Sequence, residues 1–169
     1  MALHTAYLNI GSNIDKDINI PRAIQRLKEY VDVLACSKLY ETPFSTAYMD
    51  DPKSYSTPHP SFHNIAVLIQ TPLSAAALKS DVITKIESEF HRDHSKIDRP
   101  IDIDITCFDD QVIPELKIPD PLLIGCTHLL LPLADIAPDY LHPIEKKQIS
   151  DIAKAHTPSA YMICEPIHV

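Results

Sequence analysis

With 169 residues, of which 45% are hydrophobic, the chain has enough apolar side chains to fill the core of one compact domain over residues 1–169. Its formal net charge of −8 argues against broad binding to nucleic acid or to an anionic membrane surface, and no apolar run is long enough to cross a bilayer. Four scattered cysteines argue against a disulfide framework and a zinc site, and the two glycines argue against a glycine-rich phosphate loop. Because the N-terminus lacks a signal-peptide pattern, we expect a cytoplasmic protein. We expect it to be a monomer or a weak homodimer.

The N-terminal part of the chain shows strand and helix patterns in turn. Alternating apolar residues predict a first strand over 5–10, and apolar residues at helical spacing predict a helix over 18–30. Residues 31–42 are rich in β-forming side chains and predict a second strand, which Pro43 ends. The proline-punctuated residues 44–60 predict an irregular loop, of a length typical of functional lids or disordered segments.

A second strand and helix lead to the most unusual stretch of the sequence. Residues 61–70 predict a third strand, and a helix is expected to begin near residue 71 and to run to about residue 91. Residues 91–99 form a charged connector. After it, isoleucine and aspartate alternate strictly within a predicted fourth strand over 101–108.

The alternating strand places Asp102 and Asp104 on one face and the isoleucines on the other. Residues i and i+2 of a strand lie roughly 6.5–7 Å apart, so both carboxylates could converge on divalent cations. A magnesium site is one interpretation. The other is a solvated polar face of an edge strand, which is common in antiparallel sheets.

The C-terminal part of the chain predicts shorter elements. A returning strand is expected over 112–113, followed by a proline-rich loop over 114–126 and an apolar helix over 128–136. A short helix over 149–156 and a final strand over 160–167 complete the chain, and residues after about 145 are assigned no chemistry. The order β-α-β-β-α-β over residues 5–108 predicts an α+β fold of the ferredoxin-like split βαβ type, an antiparallel sheet with helices packed on it, plus a C-terminal extension.

Six short motifs, in matching order and spacing, give the chain a resemblance to one family. They are residues 10–13 (IGSN), 40–43 (YETP), 62–64 (FHN), 99–104 (RPIDID), 118–121 (IPDP) and 131–138 (LPLADIAP). The chain resembles the hydroxymethyldihydropterin pyrophosphokinases of folate biosynthesis over nearly its whole length. The resemblance implies an enzyme that uses ATP as co-substrate and transfers its diphosphate to the pterin hydroxymethyl group, giving AMP.

The resemblance also implies roles for individual residues. Asp102 and Asp104 would hold two Mg²⁺ ions, and Arg92 and Arg99 would act with them in catalysis. The pterin would contact Thr42, Pro43, Phe62, Asn64 and His128. The nucleotide would contact Glu87, His94, Lys96, Arg99 and Lys117.

The chain departs from the family pattern mainly where the nucleotide phosphates would bind. It has no tryptophan, and its connector before the aspartate strand is short and poor in arginine. Asp120, Glu115 and Cys126 stand where the resemblance leads us to expect histidine or basic residues. Three hypotheses follow: an active divergent pyrophosphokinase, a non-catalytic pterin-binding relative, or a kinase of the same fold with another acceptor or donor.

Overall fold

A six-stranded antiparallel sheet forms the centre of the computed structural model, which describes residues 2–43, 59–155 and the backbone of 162–164. The strands are β1 (His4–Ser12), β2 (Asp32–Cys36), β3 (Leu39–Thr42), β4 (Phe62–Thr71), β5 (Asp102–Phe108) and β6 (Met162–Cys164). They pair in the order β5-β1-β4-β3-β6, with β2 also pairing to β4. The strand order β5-β1-β4-β3 is that of a split βαβ fold and confirms the prediction. β6 adds one more strand to the sheet, next to β3.

The helices lie between the strands and after β5. They are α1 (Lys16–Leu27), α2 (Ala75–Ala77), a π-helix (Leu78–Ile83), α3 (Thr84–Glu89), α4 (Thr127–Ile136) and α5 (Ile149–Lys154). Within the described ranges, no helix combines the length and the hydropathy needed to span a bilayer. The predicted loop over 44–60 falls outside the described residues except for its last two positions, and of the predicted strand over 160–167 only β6 is described.

The predicted strand over 31–42 is divided in two at Ser37. Its hydroxyl accepts a hydrogen bond from the Ala66 N–H at 2.9 Å, while the Ser37 N–H donates to the Ala66 carbonyl at 2.9 Å. The Ser37 hydroxyl therefore takes the place of a backbone carbonyl in the strand pairing. β2 and β3 pair with different halves of β4. A propensity pattern cannot reveal this division, because it depends on pairing with a strand some thirty residues away.

The predicted helix over 71–91 differs in its start and in its interior. It begins at Ala75, where the Ser74 hydroxyl accepts a hydrogen bond from the Ala77 N–H at 3.3 Å. Its middle is π-helical, with the Thr84 N–H donating to the carbonyl of Lys79, five residues earlier. The widened turn still buries the predicted apolar stripe, because Leu78, Val82 and Ile83 are all at most 2% exposed.

Helices cover the sheet on both faces, which gives the molecule two apolar cores. The first core packs α1 and the segment 75–89 against the isoleucines and leucines of β1, β4 and β5. The second packs α4 and α5 against the other face, where Tyr7 and Cys107 emerge. Residues 112–113 contribute only the isolated bridge between Ile113 and Ile118, and α5 ends at Lys154, before the predicted end at 156.

Candidate active site

The two aspartates of β5 project from the face of the sheet that carries α4. Ile101 and Ile103 are fully buried in the first core on the opposite face, so the predicted alternation is present in the structure. Asp102 and Asp104 both line a cavity of about 260 Å³. The carboxylates therefore share a concave site rather than a flat, solvated strand face.

Asp102 is held by two arginines that precede it in the chain. The Arg92 guanidinium lies 3.3 Å from Asp102 through its Nε, and the Arg92 side chain is only 4% exposed. A nitrogen of Arg99 contacts the other carboxylate oxygen. The Asp102 charge is thus compensated twice, and both arginines are brought together with the aspartate pair as the sequence suggested.

The arginine-bearing connector is positioned by the motif that ends β1. The Asn13 side-chain carbonyl accepts a hydrogen bond from the Arg99 N–H at 2.6 Å, and its amide donates to Asp98 at 2.7 Å. The Ser12 hydroxyl donates to the Pro100 carbonyl at 2.7 Å. These bonds explain the Gly-Ser-Asn sequence at the end of β1: its polar side chains satisfy the backbone of the segment that enters β5.

Asp104 has much weaker charge compensation than Asp102. Among the described residues, the cation that faces it is Lys79, whose Nζ lies 3.9 Å from an Asp104 oxygen and also donates to the Ile103 carbonyl at 3.1 Å. Partial burial, the Asp102 carboxylate and, more weakly, Asp120 raise the pKa of Asp104 to about 6, against the opposing effect of Lys79. Asp104 is therefore the less neutralised of the two carboxylates, and a cation bound in this cavity would stabilise its ionised form.

The opposite end of the same cavity is lined by polar and aromatic groups of β3 and β4. The Asn64 amide donates to the Thr42 hydroxyl at 2.9 Å, and both side chains are buried. Phe62 and Pro43 lie beside them in the cavity lining. Gly11 permits this arrangement, because a Cβ atom there would lie only 3.1 Å from the Asn64 side-chain oxygen.

The remaining wall comes from α4 and from the loop before it. His128, Leu129 and Leu122 line the cavity opposite the sheet. Burial, reinforced by the Arg99 charge, lowers the pKa of His128, so the neutral imidazole is favoured. A neutral, flat side chain beside Phe62 and Asn64 suits a planar uncharged ligand.

A second cavity, of about 290 Å³, lies on the other side of Asp104. It shares Asp104 and Asp120 with the first cavity and is otherwise lined by Lys79, Ile105, Glu115, Leu116 and Lys117. Burial raises the pKa of Asp120. Lys117 thus lies in a cavity that adjoins the aspartate pair, and its contact with a nucleotide stays a prediction.

Three other predicted nucleotide contacts lie away from both cavities in the described part of the chain. Glu87 is 3% exposed and accepts a hydrogen bond from the Ile103 N–H at 2.9 Å, so it anchors β5 to the helix. The side chains of His94 and Lys96 are each 71% exposed, and Lys96 lies 3.6 Å from Asp93. Their contact with a nucleotide therefore remains a prediction.

Two polar residues that line the cavities, Asn9 and Lys79, were not among the residues predicted from the sequence. Asn9 lines the first cavity from the middle of β1, and Lys79 lines the second from the π-helix. A polar residue between the buried Leu8 and Ile10 was a usable signal for Asn9. The position of Lys79 was not readable from helical periodicity, because the π-turn changes which side chains face β5.

The acidic residues of the site suit one kind of metal binding. No group of three or more His, Cys, Asp or Glu side chains in the described ranges could hold an ion by itself. Mg²⁺ commonly takes only one or two protein carboxylates and completes its shell with water and substrate phosphates. Asp102 and Asp104 fit that pattern, and the raised pKa of Asp104 marks a carboxylate that a cation would stabilise.

Comparison with known proteins identifies relatives along most of the chain. A family model described as 7,8-dihydro-6-hydroxymethylpterin-pyrophosphokinase (HPPK) matches residues 7–138. The 2-amino-4-hydroxy-6-hydroxymethyldihydropteridine pyrophosphokinase of Aquifex aeolicus is 32% identical over 158 residues, covering 90% of this chain and 92% of that protein. The folic acid synthesis protein FOL1 of Dictyostelium discoideum is 34% identical over 81% of this chain, which spans only 20% of that longer protein.

A solved structure shares the fold at lower sequence identity. The crystal structure of Plasmodium falciparum HPPK-DHPS superposes with a TM-score of 0.70 at 17% identity, covering 91% of this chain and 44% of that one. At that identity the likeness concerns the fold alone. The family model and the Aquifex relative carry the assignment: this chain belongs to the 7,8-dihydro-6-hydroxymethylpterin-pyrophosphokinase family.

Proposed function

We propose that this chain transfers diphosphate from ATP to the hydroxymethyl oxygen of 6-hydroxymethyl-7,8-dihydropterin, giving AMP and the pterin diphosphate of folate biosynthesis. One observation carries the proposal: Asn64 and the aspartate pair line the same cavity. We call the part of the cavity around Asn64 the acceptor end. A heterocycle bound at one end would therefore present its hydroxymethyl group to the carboxylates at the other. The family membership and the name of the Aquifex relative support the same reaction.

The acceptor end has the chemistry to recognise a pterin ring. The Asn64 carboxamide offers a hydrogen-bond donor and acceptor side by side, as the edge of a pterin requires. Its orientation is fixed by the bond to the Thr42 hydroxyl. Phe62, Pro43 and the neutral His128 supply flat or apolar surface on either side of the ring.

The donor end would take ATP in the second cavity, with its phosphates reaching Asp104. Lys117 and Lys79 line that cavity, and Arg92 and Arg99 lie on the other side of the aspartate pair. Guanidinium and ammonium groups bind phosphate oxygens by charge-assisted hydrogen bonds. In the reaction the pterin hydroxyl loses its proton to water and its oxygen bonds to the β-phosphorus. The bond from that phosphorus to the oxygen leading to the α-phosphate breaks, and AMP departs with that oxygen.

Two Mg²⁺ ions, held by Asp102 and Asp104, are part of the proposal. When bound, they would neutralise the charge that builds up on the transferred diphosphoryl group. Arg92 and Arg99, which contact Asp102 in the structure, would then be available to the phosphates. Charge neutralisation and positioning account for most of what such a transfer needs from a protein.

One observation favours the two alternative hypotheses, a non-catalytic pterin-binding relative and a kinase of the same fold with another acceptor or donor. Asp120 and Glu115 place negative charge on the wall of the cavity in which the phosphates of ATP would lie. This charge would weaken ATP binding and suits either a donor with less charge or a pterin-binding protein without catalysis. The aspartate pair supports catalysis, because two carboxylates on one face are costly unless a cation lies between them.

The reaction is tested by incubating the protein with Mg²⁺, ATP and 6-hydroxymethyl-7,8-dihydropterin and measuring AMP. We expect AMP from the wild type and a loss of at least about a hundredfold in Asp102→Asn and Asp104→Asn, because the metal ligands are weakened without a change in side-chain size. Asp32→Asn, an exposed carboxylate on β2, is the matched control and should retain the wild-type rate.

Other outcomes separate the hypotheses. Pterin binding without AMP formation would contradict the proposed reaction and favour the non-catalytic relative. AMP formation at an unchanged rate in both aspartate variants, with unaltered circular dichroism, would contradict the metal assignment.

A further inference from the structure

Asn9, in the middle of β1, is a buried polar residue without a partner. The residue is only 6% exposed, and its side-chain oxygen has no hydrogen-bond partner in the described part of the chain. Buried polar atoms in folded proteins nearly always have a partner, because an unpaired one destabilises the folded state. Because Asn9 lines the first cavity, its unpaired side chain indicates a group that forms a hydrogen bond with a ligand.

The register of the sheet places Asn9 at a particular point of the cavity floor. β1 lies between β4, which carries Asn64, and β5, which carries the aspartates. Asn9 is directly opposite Asp104 on β5, and Gly11, two residues further, is opposite Asn64 on β4. Asn9 therefore stands on the middle strand, between the acceptor end of the floor and the carboxylates.

The neighbours of Asn9 on β1 and β4 are small. Its partner on β4 is Ala66, whose side chain is a single methyl group, and Gly11 next along the same face has none. No hydrogen bond among the described residues uses the Asn9 amide. Rotation by about 180° exchanges its nitrogen and oxygen, so it can present either a donor or an acceptor to a ligand.

We propose that Asn9 hydrogen-bonds the hydroxyl group of the bound acceptor and holds its oxygen between the heterocycle site and the aspartate pair. This inference rests on the proposed function, since it takes the acceptor to be a hydroxymethyl heterocycle lying over Asn64. A hydroxyl both donates and accepts, which matches the two faces of a carboxamide. Asn9 is then a further substrate-binding residue, and one that touches the reacting oxygen.

A second buried asparagine shows what a structural role looks like in this chain. Asn19, on α1, is 8% exposed, and its amide donates to the Ile14 carbonyl at 2.8 Å. It lines neither of the two cavities around Asp104. Loss of a satisfied side chain lowers stability, whereas removal of an unsatisfied one does not. The two residues are therefore a matched pair for experiment.

The test compares Asn9→Ala with Asn19→Ala in the full chain without ATP. Binding of 6-hydroxymethyl-7,8-dihydropterin and of 6-methyl-7,8-dihydropterin is titrated by fluorescence, and stability is measured by urea denaturation. We expect Asn9→Ala to bind the hydroxymethyl compound on the order of tenfold more weakly, to bind the methyl compound as the wild type does, and to keep or raise the urea midpoint. Asn19→Ala should lower the midpoint and leave both affinities unchanged.

Two results would overturn the inference. A lower urea midpoint in Asn9→Ala with unchanged affinity for the hydroxymethyl compound would make Asn9 structural. Equal weakening of both compounds would place its contact on the ring instead of the hydroxyl. Failure of the wild type to form AMP would contradict the proposed reaction but not this contact, because the titrations contain no ATP.

Discussion

At the scale of single residues, the two aspartates of β5 are alike in sequence and different in environment. Asp102 is paired with Arg92 and Arg99, whereas Lys79, at 3.9 Å, is the cation that faces Asp104 among the described residues. The sequence alone predicted that the carboxylates share a face, since a strand has a period of two. It could not predict which cations pair with which carboxylate, because that depends on how the connector and the π-helix pack against β5.

Lys79 is predicted to be a donor-site residue of the proposed reaction. Its ammonium group lines the cavity next to Asp104, so its removal takes a positive charge away from the position proposed for the phosphates. We expect Lys79→Met to raise the KM for ATP on the order of tenfold, because hydrogen bonds to charged groups are worth about 1.5–3 kcal/mol. Steady-state kinetics of AMP formation with varied ATP provide the measurement.

The control for Lys79 lies on the same helical segment. Lys85 is exposed and packs over the Tyr30 ring at 5.1 Å, away from the cavity. Lys85→Met should keep the wild-type KM, and Lys79→Arg should recover part of the loss because it keeps the charge. A wild-type KM in Lys79→Met would show that the lysine acts only as a structural partner of β5.

At the scale of elements, the sequence predicted that each helix and strand of the core exists, but not the breaks and irregular turns within it. The split of residues 31–42 at Ser37 depends on pairing with the distant strand β4. The π-helix Leu78–Ile83 carries Lys79, whose side chain donates to the Ile103 carbonyl of β5. The turn over 141–148, which precedes α5, had no pattern in the sequence. It is closed by a bridge between Leu141 and Gln148 and by a side chain, that of His142, acting as a local hydrogen-bond acceptor.

His142 should make the stability of this turn depend on pH. Its Nδ1 accepts hydrogen bonds from the N–H groups of Ile144, at 3.3 Å, and Glu145, at 3.1 Å, which requires an unprotonated nitrogen. Burial lowers the pKa of His142 below its ordinary value of 6.5. The unfolded chain therefore binds more protons than the folded one as pH falls below about 6.5, so this contribution to stability is complete above that pH and is lost on acidification.

Urea denaturation at several pH values from 5.5 to 8 measures the effect. His142→Ala should be less stable than the wild type at pH 8, and the difference should shrink toward pH 5.5, with a slope of at most about 1.4 kcal/mol per pH unit for one proton. His91→Asn, at an exposed position with φ 55° that asparagine tolerates, should leave the pH dependence unchanged. A pH-independent difference between His142→Ala and the wild type would contradict the titration.

At the scale of the whole molecule, the site exists because the sheet is covered on both faces. The predicted split βαβ order accounts for the first core and for the alignment of β1, β4 and β5. The sequence predicted the helix over 128–136 but not its place, since its apolar residues do not reveal which face of the sheet they cover. That packing brings His128 and Leu129 over the strands and turns a polar sheet face into a cavity.

The two cores should therefore differ in their effect on ligand binding. Leu130 belongs to the core beneath α4 and Ile24 to the core beneath α1, and both are fully buried. Truncation of a buried Leu or Ile to Ala costs about 2–5 kcal/mol, so Leu130→Ala and Ile24→Ala should both lower the free energy of unfolding by amounts in that range. Only Leu130→Ala leaves a cavity directly beneath the helix that carries His128 and Leu129.

We expect Leu130→Ala to weaken binding of 6-hydroxymethyl-7,8-dihydropterin severalfold, because α4 settles toward the vacated space and shifts one wall of the ligand cavity. Ile24→Ala should bind the pterin as the wild type does, because the sheet separates its core from the cavity. Urea denaturation and fluorescence titration, at a temperature at which both variants are folded, measure the two effects. Equal affinities in the two variants would mean that α4 is held in place by its other contacts, and that the wall of the site does not depend on the second core.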